Sequence, residues 1–160
     1  RARKTGDLPT AIDYLTRSRA AMESLGAAED LAEVYRQLAA TYLAANDLPV
    51  AYQHGERGLE YARQTGNRLE EGITHRVLGQ IAAEQSQLDH AAEHLAHSRT
   101  ILEELGSEHE LALTLVEEAG LLEDDAQRKP LERAHDIFIR LGATAEAEGV
   151  EKLLDAYAHG

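Results

Sequence analysis

The turn dipeptide Leu25-Gly26 recurs as Thr65-Gly66, Leu105-Gly106 and Leu141-Gly142, at spacings of 40, 40 and 36 residues. A period of this length is the mark of a repeat array, in which one unit cannot bury its apolar face alone and stacking supplies the core. A second marker keeps the same beat: Gly6-Asp7-Leu8-Pro9 returns as Asn46-Asp47-Leu48-Pro49 and, in weaker form, as Ser86-Gln87-Leu88-Asp89. Each of these stands about twenty residues before the next glycine turn, so the unit divides into two helices of similar length. A chain built this way is a scaffold that presents a surface.

The apolar residues fit that division. Ala11, Leu15, Ser18, Met22 and Leu25 share one helical face after Asp7, a candidate N-cap, and Pro9, which a first turn tolerates. Gly26 stops this helix because glycine takes positive φ without a steric penalty. Further helices are predicted over about 29–45, 49–64, 68–85, 89–104 and 108–123, with Asn46-Asp47 ending the second and capping the third. The last unit is four residues short and carries the polar run Glu123-Asp124-Asp125-Ala126-Gln127-Arg128-Lys129-Pro130. It predicts a short helix over about 130–141 and a final one over about 145–157, whose acidic positions Glu146, Glu148, Glu151 and Asp155 suit a cap facing water. The expected fold is all-α: an α-α superhelix, or solenoid, of about four helix-turn-helix repeats and roughly eight antiparallel helices. It forms one domain over residues 1–160, with hairpins at about 1–25 (partial), 29–65, 68–105 and 108–142. The start at Arg1, in what reads as the end of a helix, predicts a fragment of a longer protein.

Composition narrows the function. Aromatic residues are only 4%, so the core rests on Leu, Ala, Val and Ile, which suits close helix packing. The net charge of −13 repels phosphate backbones and anionic lipid, so neither nucleic acid nor a membrane is an expected partner. No apolar run is long enough to span a bilayer. There is no cysteine, hence no disulfide, no thiolate ligand and no thiol nucleophile, which fits a cytoplasmic location.

Tyr35, Leu38, Ala39, Tyr42, Asn46-Asp47-Leu48, Ala51 and Gly58 stand in an order that resembles the tetratricopeptide repeat. His75, Leu78, Gly79, Ala82, Ser86, Leu88, Ala91, Leu95 and Ser98 follow it again, although His75 and Ala82 fit their slots poorly. Ala39, Gly79, Ala51 and Ala91 are expected to let paired helices approach closely. Gly55 and Glu118 depart, since a bulky residue and a Leu are expected there, and Gly55 predicts a soft hairpin. The 40-residue period is similar to the long-helix variety found in sensor regions of bacterial multidomain regulators. That resemblance implies a protein or peptide partner held in a concave groove lined by the first helix of each pair. It places Arg36, Gln37, Ala40, Leu43, Arg76, Gln80 and Glu84 on the lining. Arg36 and Arg76 would stand in a row, able to pair with a partner's carboxylate or backbone carbonyls, or else to neutralise acids such as Glu33 or Glu117. The family's clamp for a C-terminal carboxylate uses Asn and Lys, and Gln37, Ala40 and Val77 stand in such places here.

Little else suggests chemistry. His90, His94 and His97 fall at i, i+4 and i+7 on one helical face, and Glu93 is near. Two His at i, i+4 can chelate a metal, but a solvated polar face explains them as well, and no catalytic motif completes the set. No phosphate-binding loop and no nucleophile-base arrangement is recognisable, so no cofactor is expected and the chain reads as a binder and not as an enzyme. Self-association through the apolar edge of the incomplete first repeat is the other expectation, as is a sensor pocket for a metal or small ligand.

Overall fold

A computed structural model describes residues 7–159; Gly6 and the basic start lie outside the described residues. Among the described residues there are eight α-helices and no strand. They are α1 (Leu8–Leu25), α2 (Ala28–Ala44), α3 (Leu48–Gln64), α4 (Arg68–Glu84), α5 (Leu88–Leu105), α6 (Glu108–Gly120), α7 (Arg128–Leu141) and α8 (Thr144–His159).

The turns explain the regular spacing. Each of the first five ends in one left-handed residue, twenty positions after the last: Gly26 (φ 66°), Asn46 (60°), Gly66 (68°), Ser86 (62°) and Gly106 (68°). The next N–H then reaches five residues back, as Asp47 N–H does to the Tyr42 carbonyl at 2.9 Å and Gln87 N–H to that of Ala82 at 2.9 Å. That bond satisfies a carbonyl the helix end would orphan. The same residue is the N-cap of the following helix, so one two-residue turn serves both ends. Asp7 and Asp47 hold N-cap positions without a side-chain bond; Asn67 does cap, accepting from Glu70 N–H at 3.1 Å.

Packing is closest within α2–α3, α4–α5 and α6–α7, the three full hairpins, and these stack into an all-α helical-repeat superhelix. Contacts of α2 with α4 and of α4 with α6 align the even-numbered helices along the inner side. Leu38, Leu78, Ile81, Leu95, Leu102 and Phe138 are fully buried between the layers. Ala39, Ala51 and Ala91 are equally buried, as the small-residue pattern requires. A Cβ on Gly79 would lie 2.8 Å from Leu95 Cγ, so α4 and α5 meet there without room for a side chain. Gly55 has a comparable reason: a Cβ would fall 2.5 Å from Leu78 Cδ2, because Leu78 of α4 fills the place that a bulky residue on α3 would take.

The fourth hairpin corrects the sequence reading in detail. α6 stops at Gly120, not at Glu123, and a 3-10 turn over Asp124–Gln127 opens on a left-handed Asp124 (φ 51°). Gln127 Nε2 closes this turn by donating to the Leu122 carbonyl at 2.7 Å. α7 starts at Arg128, which leaves Pro130 in its first turn, where no helical N–H is lost. On α8, Glu148 and Asp155 face water, whereas Glu146 turns back to α6 and meets His109 Nε2 at 2.9 Å, and Glu151 meets His135 Nε2 of α7 at 2.7 Å. Among the described residues no helix is long and apolar enough to cross a membrane.

Candidate functional site

The inner face forms a groove of about 610 Å³ between α2, α4, α6 and α8. Arg36, Ala40, Arg76 and Gln80 line it. Leu43 and Glu84, with Gln80 again, line an adjoining hollow of about 330 Å³. Gln37 lines neither and donates to Glu33 at 3.4 Å. The floor comes from residues outside the predicted set: Ile73, Val77, Leu113, Val116, Val150 and Leu153. Part of that floor was legible in the repeat, since Val116 stands forty residues after Arg76 and Leu113 forty after Ile73. Arg36, Arg76 and Val116 are therefore equivalent positions of successive units, with Val taking the place of Arg in the third.

Both arginines are held by the repeat that follows. Arg36 donates through Nε and Nη2 to the two carboxylate oxygens of Glu70, at 2.7 and 3.1 Å. Arg76 donates to the Glu110 carboxylate at 2.7 Å and to its backbone carbonyl at 3.1 Å. Each pair spans 34 residues, from the middle of one inner helix to the first turn of the next. These ion pairs tie stacked repeats together, with partners other than Glu33 and Glu117. Glu117 accepts instead from Gln80 Nε2 at 2.9 Å. Glu118, placed where the repeat pattern has Leu, is half-buried; burial pushes its carboxyl up, against the pull of Arg99, which donates to it at 2.9 Å.

The histidines gather on the other side of α4. His75, only 3% exposed, brings its Nδ1 to 3.1 Å from His94 Nδ1, and its ring stacks on His97 at 5.1 Å. His94 Nε2 meets the Tyr52 hydroxyl at 2.9 Å. Both nitrogens of His94 are thus engaged within the protein. His90 stays on the exposed side of α5, so the cluster is His75, His94 and His97 rather than the i, i+4, i+7 trio. Among the described residues no three His, Asp or Glu side chains converge as a metal-binding set. Burial, with His94, His97 and Arg63 adding to it, pushes His75 down to about 3. Burial lowers His94 too, partly offset by Glu93. An Nδ1–Nδ1 contact works with one shared proton; a second would set two N–H groups against each other.

Comparison with known proteins returns neither a matching family model nor a matching curated protein.

Proposed function

We propose that this chain is a tetratricopeptide-like protein-interaction module, the sensor or regulatory part of a larger cytoplasmic bacterial signalling or transcription regulator. It acts by binding alone, holding a peptide or helix of a partner protein in the inner groove. The observation that supports this is the groove itself, with partly exposed apolar side chains from α4, α6 and α8 between polar margins. The regulator setting rests on the 40-residue period and its resemblance to long-helix repeats. Arg36 and Arg76 act in this reading by fixing the curvature that shapes the groove. A photo-crosslinking residue placed at Leu153, on the groove, and at Arg57, on the outer α3, tests it in extract of the source cells. A polypeptide captured from position 153 and not from position 57 supports the reading; equal capture, or capture from position 57 alone, refutes it.

A specific feature favours a second reading. Tyr14 and Leu25 on α1 are 68% and 82% exposed, an apolar edge suited to self-association. Sedimentation at increasing concentration separates it: dimers lost on Tyr14→Lys substitution would place the contact there, and a monomer throughout would end the idea.

A further inference from the structure

The groove's chemistry says what kind of segment fits it, granted the binding reading above. Its two cations are already matched, Arg36 by Glu70 and Arg76 by Glu110. What remains is acidic: Glu117, bonded only to the neutral Gln80, and Glu146, bonded to His109, on the lining, with Glu84 beside them in the adjoining hollow. His109 holds Glu146 ionised, since the hydrogen bond between them pulls that carboxyl below its ordinary range. The whole chain carries −13, which favours a basic partner over an acidic one.

The floor between these carboxylates is Ile73, Val77, Leu113, Val116 and Leu153. The walls are helices whose backbone groups bond internally, and Gln80 and Glu117 already bond each other. An extended peptide laid here would find few partners for its own N–H and C=O groups, each costly to leave unpaired. A helix carries its backbone bonds with it and offers the floor only side chains.

We propose that the groove receives an amphipathic helix from a partner protein, with aliphatic residues facing Leu113, Val116 and Leu153 and Lys or Arg flanking them toward Glu117, Glu84 and Glu146. The acidic rim then steers and orients the helix, and the floor holds it.

The test uses fluorescence anisotropy with three designed peptides of about five helical turns, roughly 18 residues. One has Leu at i, i+3, i+4 and i+7 with Lys elsewhere, one has the same Leu face with Glu, and one is the Lys peptide scrambled so that no face forms. The expected result is binding of the Lys helix at least about tenfold tighter than either control. Leu153→Gln is expected to weaken it about tenfold, and Glu117→Lys to shift preference toward the Glu helix. Leu153 is 48% exposed, so its variant leaves the fold intact, which circular dichroism verifies. Tighter binding of the Glu helix overturns the charge assignment while leaving the groove as a binding site. Equal binding of the scrambled peptide, or indifference to Leu153→Gln, shows general attraction to an acidic protein and also overturns the proposal. If no peptide binds, both the proposal and the groove reading fall. Uptake of an apolar dye, lost in Leu153→Gln, would then assign the groove to a small apolar ligand, and a dimer dissolved by that variant would assign it to a second copy.

Discussion

Acid should unfold this protein through His75 before its carboxylates titrate. His75 is buried at the α4–α5 junction and pushed down to about 3, while in the unfolded chain it titrates near 6.5. Between those values the unfolded chain binds a proton that the folded one refuses, so stability falls as pH falls. The contribution is complete above about 6.5 and drains away as the pH drops toward about 3. At pH 5 the linkage relation gives a loss of about 2 kcal/mol from His75 alone. His94 is lowered as well and adds in the same direction. Around the pair stand Tyr52 and Arg63 of α3, Glu71 of α4, and His90, Glu93 and His97 of α5. Of the two carboxylates, Glu71 is bonded to Arg63 and Arg68, which leaves Glu93 to favour a cation. The assay is urea unfolding at pH 7 and pH 5 for the wild type and His75→Leu. The variant should lose about 2 kcal/mol less than the wild type over that interval, equivalent to roughly 4–8 °C in Tm for a domain of this size. Equal losses, or a His75 proton resonance that titrates near 6.5 in the folded protein, would refute the reasoning.

Three other outcomes follow from the geometry. Arg36→Ala should destabilise by about 1–3 kcal/mol by leaving the Glu70 carboxylate without its bidentate partner, and the swapped pair Arg36→Glu with Glu70→Arg should recover part of it; a double-mutant cycle in urea measures the coupling. Ser86→Gly should raise stability by about 1 kcal/mol, because Ser86 sits at φ 62°, where its Cβ is strained; calorimetry showing no rise in Tm would count against this. Gly55→Leu, which restores the residue type of the repeat pattern, should destabilise by about 1–3 kcal/mol, since Leu78 already fills that space; a stabilised variant in thermal melts would show that the hairpin has room to spare.

The helices were legible because their boundaries are written in local chemistry. Gly26, Gly66 and Gly106 mark left-handed stops, and apolar residues recur with the helical period, so α1 to α5 begin and end within one or two residues of the reading. The shortened hairpin was harder, since a polar run such as 123–130 gives no period to follow, and α6 ends three residues early. Four of the seven predicted lining residues meet in one groove because equivalent positions of a repeat must align. Their partners were not legible. No local pattern joins Glu70 to Arg36; the stagger of α4 against α2 brings the two together across 34 residues.

The histidines show the same division. Periodicity puts His90, His94 and His97 on one face of α5, but it cannot say what faces them; only the approach of α4, made close by Gly79, brings His75 to His94 and leaves His90 in water. The sequence alone therefore determined the repeat, the helices and most of the buried side of each, since these depend on neighbours three or four residues apart; Leu25, on the predicted apolar face of α1, is 82% exposed. Tertiary structure decided which charges cancel, which histidines share a proton and which apolar residues floor the groove, since these depend on the rotation and stagger of one repeat on the next.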